Sequence, residues 1–160
     1  MKLSVYYVDA FTDKLFSGNP AAVIFSDIKD ADLMQNIASE NNLSETAFIK
    51  KVDGQYHIRW FAPSCEIDLC GHATLASAYV YFNFINPGST EFEVHSTKNG
   101  TLKVILENDL LFLDFPKDSI APVNENSVEK IIGNKPLEIY QGRDDILAIV
   151  NSETMVRNLE

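Results

Sequence analysis

Between Leu69 and Thr90 the chain carries no Asp, Glu, Lys or Arg, although 22% of its residues are charged. From Ala73 to Phe84 the residues are small or apolar on every side, which at a period of 3.6 predicts a helix buried all round. Such a helix needs the rest of the domain wrapped about it. Its start is different, because Cys70-Gly71-His72 sets a thiol, a permissive backbone and an imidazole where the first helical N–H groups lack partners. That end attracts anions and is expected to favour a thiolate. On the residues alone, a small core cysteine and a satisfied core histidine fit equally well.

Ala73 to Ile85 falls short of the roughly 20 apolar residues a bilayer requires, so no membrane span is expected. With 160 residues, 46% of them hydrophobic, the chain is long enough for one full domain and part of a second. Its net charge of -10 repels phosphate backbones and anionic membranes, which argues against nucleic acid and membrane partners. No export signal is legible near Met1, so the cytoplasm is expected and Cys65 and Cys70 should stay reduced. Cys65, Cys70 and His72 have no second ligand pair of the kind structural zinc sites use, so no metal is expected.

In order, the pattern predicts strands over Leu3 to Phe11 and Ala21 to Phe25, separated by a Gly18-Asn19-Pro20 turn. A surface helix over Asp30 to Asn41 follows, with Ala31, Met34, Ile37 and Ala38 on one stripe. Leu43 to Ile49 enters a strand in which Glu45 precedes an apolar run. Partial desolvation there would make it a proton-transfer group, while a solvated strand-end glutamate is the plainer reading of these residues alone. Asp53-Gly54 reads as a hairpin turn into Tyr56 to Phe61. Past the central helix, strands are expected over Glu91 to His95, Leu102 to Glu107 and Leu110 to Phe115. Pro116 to Asn124 forms a loop, followed by a helix over Ser127 to Ile132 and strands over Leu137 to Tyr140 and Ile146 to Val150. With no β-α-β alternation apparent, the pattern predicts an α+β fold, an antiparallel barrel-like sheet around a central buried helix. The first domain is placed at residues 1–116. Residues 117–160 read as a linker and the beginning of an incomplete second lobe.

Five blocks resemble the PhzF-like family of phenazine biosynthesis, related to diaminopimelate epimerase. They are Val8-Asp9-Ala10-Phe11, Phe16-Ser17-Gly18-Asn19-Pro20-Ala21-Ala22-Val23, Asn42-Leu43-Ser44-Glu45-Thr46-Ala47-Phe48, Arg59-Trp60-Phe61-Ala62-Pro63 and Asp68-Leu69-Cys70-Gly71-His72-Ala73-Thr74. Asp114-Phe115-Pro116 adds a sixth.

The resemblance implies two similar lobes with the active site between the starts of their central helices, and a reaction without cofactor or metal. It casts Glu45 as the acid/base that moves a proton on a small carboxylic acid, with Gly71, His72 and Asn19 binding substrate and Cys70 as a second catalytic candidate. The physics agrees, since abstracting a proton beside a carbonyl needs a base in a water-poor site and donors for the developing charge. The expected activity is that of a cofactor-independent isomerase. The alternatives are a two-base amino-acid epimerase or racemase using Cys70, or a non-catalytic binding or structural module. The family's second Gly-Ser-Ala helix start has no counterpart here. The chain is therefore expected to be a truncated form, inactive alone, or else a homodimer in which a second copy closes the cleft.

Overall fold

The computed structural model describes residues 2–14, 16–124 and 126–159. They form two compact units, Met1–Phe115 and Pro116–Glu160. In the first, β1 (Tyr6–Ala10) pairs antiparallel with β2 (Asn19–Phe25). Helix α1 (Ala31–Asn41) then carries the chain back, so β3 (Glu45–Val52) lies parallel to β2, with Ala21 opposite Glu45. Asp30 caps α1, its carboxylate accepting from the N–H groups of Asp32 at 2.9 Å and Leu33 at 3.3 Å. Asp53 and Gly54, with φ of 48° and 89°, make the tight turn into β4 (Gln55–Phe61), both in the left-handed region that a primed hairpin turn requires.

After the short β5 (Glu66–Ile67) comes the central helix α2 (Gly71–Val80). It returns the chain to β6 (Glu91–Ser96), parallel to β4 through Tyr56↔Val94 and His57↔His95. β7 (Gly100–Glu107) and β8 (Leu110–Asp114) complete the sheet as antiparallel hairpins, in the order β1-β2-β3-β4-β6-β7-β8 with β5 on β4. The α+β fold with a curled sheet around a helix is as expected, but the sheet is mixed. Two β-α-β crossovers, β2-α1-β3 and β4-α2-β6, supply its parallel pairs, because each helix runs back along the sheet and starts the next strand at the end where the previous one began.

The inner face of the sheet closes on α2 through Ala21, Val23, Ala47, Ile49, Ile58, Trp60, Phe92, Val94, Leu102 and Val104, all at most 2% exposed. Ala73, Ala76 and Ala78 keep the helix thin enough for strands to pack against it on several sides. Its two buried hydroxyls bond back to their own helix, Thr74 to the Cys70 carbonyl and Ser77 to the Ala73 carbonyl, both at 2.6 Å. α1 covers the outer face, where Met34 and Ala38 meet Ile24, Phe48 and Phe61. β2, β3 and β4 are thus enclosed on both faces, and their apolar runs reflect it.

The central helix is not buried on every side. Leu75 is half-buried and Tyr79 exposed, and the last stretch, Tyr81–Ile85, widens into a π-helical turn with Phe84 at the surface. In the second unit, β9 (Ala121–Pro122), α3 (Asn126–Ile132), β10 (Glu138–Gln141), β11 (Ile146–Ile149) and α4 (Glu153–Arg157) follow in order, the strands pairing as β11-β10-β9. β5, β9 and α4 carry too few residues for a period to show in the sequence. Among the described residues no helix is long and apolar enough to cross a membrane.

Candidate active site

The start of α2 is held from outside by the β6–β7 turn. The Asn99 side-chain amide donates to the Asp68 carbonyl at 2.6 Å, and Lys98 pairs with the Asp68 carboxylate. Cys70 follows in extended conformation as the N-cap, without a side-chain cap bond of its own. The helix therefore opens with the N–H groups of its first turn directed out of its end, a partial positive charge.

Glu45 reaches this end from the sheet. It is the first residue of β3 and shares the inner face with Ala47 and Ile49, so its carboxylate points toward α2. Its Oε2 lies 3.1 Å from Nε2 of His72, the side chains being 18% and 9% exposed. Despite that distance the two atoms are not aligned as a hydrogen bond, and each is buried without a hydrogen-bond partner. The other ring nitrogen, Nδ1 of His72, lies 3.4 Å from Sγ of Cys70. Carboxylate, imidazole and thiol are thus brought into one cluster. Buried polar atoms in folded chains are almost always paired, so two unpaired atoms facing each other at a helix start mark a place kept for something else.

Cys70 differs from its expected state. Burial pushes its thiol up to about 12, reinforced by the charge of Glu45 and a hydrogen bond to the Glu45 side chain, against the smaller downward pull of the Ala73 and His72 backbone N–H groups. Desolvation outweighs the helix end, and Cys70 holds its proton at neutral pH. Cys65, by contrast, is exposed.

Glu45, Cys70 and His72 offer three donor atoms within 4.8 Å of one another. As a metal centre the arrangement is poor, since the helix start disfavours a cation and burial keeps the thiol protonated. As a proton-transfer site it is apt, with an acceptor carboxylate, a ring able to donate and N–H groups available for a developing oxyanion.

Gly71 supplies the first of those N–H groups. A Cβ there would meet only ordinary contacts, Leu113 at 3.7 Å and Phe115 at 3.8 Å, so neither space within this unit nor backbone conformation demands glycine. Asn19 opens β2 at the same end of the sheet as Glu45, and its side-chain oxygen accepts from the Ser44 hydroxyl at 3.4 Å. It stands beside the cluster of Glu45, Cys70 and His72 rather than in it. The sequence reading missed Trp60, which is 1% exposed, sits opposite Ala47 and has a buried indole N–H without a partner. Its place in the Arg59-Trp60-Phe61 block was the available signal. A cavity of about 460 Å³ where β4 and β6 diverge is lined by Trp60, Arg59, Glu66, Asp68 and Lys98 but by none of the three site residues.

Comparison with known proteins gives consistent results. Residues 8–160 match the family model described as phenazine biosynthesis-like protein. An uncharacterized isomerase of Pseudomonas aeruginosa is 43% identical over 159 residues, covering 98% of this chain and 60% of that protein. The crystal structure of a PhzF-family phenazine biosynthesis protein from Enterococcus faecalis superimposes with a TM-score of 0.87 at 41% identity, over 100% of this chain and 62% of the other. A structure described as a predicted epimerase, also from Pseudomonas aeruginosa, shares the fold with a TM-score of 0.67 at 16% identity, covering 87% of this chain and 56% of that one. The chain thus spans about three fifths of the length of the relatives it matches most fully.

Proposed function

The chain belongs to the phenazine biosynthesis-like family, and from that membership we propose that it supplies one jaw of a cofactor-independent isomerase that moves a proton on a small carboxylic acid. The observation that carries this reading is the buried, mutually unpaired contact between Glu45 and His72 at the start of α2. Glu45 is the acid/base. It takes a proton from the carbon next to the substrate's carboxylate or carbonyl and returns it elsewhere on the same molecule. His72 and the N–H of Gly71 hold the oxygen on which charge develops, and Asn19 orients the substrate from the rim. The helix start attracts the carboxylate of a substrate that the net charge of -10 would otherwise repel.

The second reading is a two-base epimerase or racemase, favoured by the presence of Cys70 in the same cluster as Glu45. Because Cys70 carries its proton at neutral pH, it would enter such a reaction as the acid. The lobe boundary is assigned to residues 116 and 117, and the opposite jaw to further protein of the relatives' kind or to a second copy. The cytoplasm is the proposed setting, where both thiols stay reduced.

The test is incubation in D₂O with a panel of small acids bearing a C–H beside a carbonyl or conjugated carboxylate. With the opposite jaw present, as a second copy or as further protein of the relatives' kind, deuterium should enter a substrate when Glu45 is intact and not with Glu45→Gln. Exchange that survives Glu45→Gln would remove Glu45 from the reaction.

A further inference from the structure

The outer face of the sheet gathers basic groups away from the Glu45 cluster. β3 and β4 pair with Phe48 opposite Arg59 and Lys50 opposite His57, and β6 continues the second pair with His95. Ile49 and Ile58 face α2, so these neighbours face the other way, toward α1. Lys50, His57 and His95 therefore stand side by side across three strands, the two rings with centroids 5.2 Å apart and no acid set opposite any of the three. Basic groups aligned in this way weaken a sheet unless an opposite charge joins them. Beside Lys50 and His57 a cavity of about 240 Å³ opens toward the segment that leads into α1. Ile28, Met34 and Phe48 give it an apolar floor, Lys29, Lys50 and His57 a basic rim, and none of the residues lining it is acidic. Among the described residues neither Lys29 nor Lys50 has an ion-pair partner. In a chain of net charge -10, two free ammonium groups over one apolar hollow mark a place for an anion with an apolar body.

We propose that this hollow is a second ligand site, for a small organic monocarboxylate whose apolar body lies on Met34 and Phe48 and whose carboxylate sits between the Lys29 and Lys50 ammonium groups, beside the His57 ring. Two features select a carboxylate over a phosphate. Arg59, whose planar fork would suit phosphate, already donates to both oxygens of Glu66 at 2.6 Å. The N–H groups at the start of α1, the other common phosphate holder, are taken by the Asp30 carboxylate, which would also repel a dianion. What remains is a pair of flexible ammonium groups, suited to one compact charge. The volume falls below the roughly 300–1,000 Å³ of pockets for drug-sized ligands, which fits an acid with a single ring. The hollow lies on the opposite face of the sheet from Glu45, so it stands or falls without the proton-transfer reading.

The experiment is NMR of the native chain labelled with ¹⁵N at histidine and ¹³C at the methionine methyls, titrated with benzoate, the signals of His57 and Met34 being assigned through His57→Gln and Met34→Leu. Benzoate should shift both residues' signals to saturation, and added salt should weaken the binding. Lys50→Glu should weaken it about tenfold or more, the loss expected when one charge-assisted contact is removed, and Lys29→Glu should act in the same direction. Lys29→Glu, in the exposed segment before α1, keeps the test available if Lys50→Glu does not fold. Benzyl alcohol, with the same body and no charge, should leave the signals in place, and phenyl phosphate should bind no more tightly than benzoate. No saturable shift at His57 and Met34, equal binding of benzyl alcohol, tighter binding of phenyl phosphate, or unchanged affinity in the lysine variants overturns the proposal. His72, on the inner side, reports separately, so a shift there that survives Lys50→Glu belongs to the Glu45 cluster and not to this hollow.

Discussion

Nε2 of His72 and Oε2 of Glu45 face each other at 3.1 Å in the interior, and neither has a hydrogen-bond partner. An acid and a ring donor left in that state cost the fold stability, since each unpaired buried polar group forfeits about 1–3 kcal/mol. A ligand hydroxyl or carboxyl group arriving beside them would recover part of it.

Glu45→Gln keeps the shape and removes the charge. Proton transfer should fall by about 10²- to 10⁴-fold, the usual contribution of a positioned acid/base. Thermal unfolding should be unchanged or slightly raised, because a neutral amide is less costly to bury than a carboxylate. Parallel activity and melting curves check it; a large drop in stability would make Glu45 a structural residue.

Cys70 should resist alkylation at neutral pH while Cys65, exposed, reacts readily, as mass spectrometry after iodoacetamide treatment will show. The same burial makes stability depend on pH. The folded thiol titrates at about 12 against an ordinary value of 9.0, so the folded state binds this proton more tightly than the unfolded one. The associated stabilisation is fully present below about pH 9 and is lost as pH rises from there toward about 12. Denaturant midpoints of the native chain should therefore fall more steeply over that window than those of Cys70→Ala.

Two glycines should behave oppositely. Gly18 has φ of +79°, and a Cβ there would clash with the Ala10 carbonyl oxygen, so Gly18→Ala forces the backbone beside Asn19 to move. A loss of about 1–3 kcal/mol is expected, read by chemical denaturation. Gly71→Ala meets only contacts of 3.7 and 3.8 Å and should fold with native stability or a little more. If it nonetheless weakens the NMR shifts that small carboxylates induce in His72, the missing Cβ is space for ligand.

Asp30→Ala removes the two capping bonds at the start of α1. Stability should drop by about 1 kcal/mol, with deuterium exchange into substrate unaltered. A change in exchange would tie the outer layer to the site.

Much of the architecture was legible because the uncharged run from Leu69 to Thr90 leaves one place for a helix, and turns such as Asp53-Gly54 and Asn108-Asp109 adopt the positive φ their residues tolerate. Strand direction was not legible. The apolar runs of β2 and β3 say that both faces are buried, and nothing in them says that α1 sends the chain back to run parallel. At the site, the residue types of Glu45, Cys70 and His72 could be read as chemistry. That Cys70 is protonated could not, because the sequence shows a helix start but not how far the surrounding sheet shuts out water. The open end of Tyr81–Ile85 was hidden for a similar reason: composition alone does not distinguish an α-turn from a wider one.

Because Ala21 and Glu45 are fixed as neighbours by the ladder between β2 and β3, the route the backbone takes from one to the other is free to vary in length. That route passes through α1 on the far side of the sheet from the acid. A protein engineer seeking to graft a reporter or a peptide into this lobe should find the loop after Phe25 a permissive doorway, while deleting one residue within β3 itself would turn the carboxylate to the opposite face.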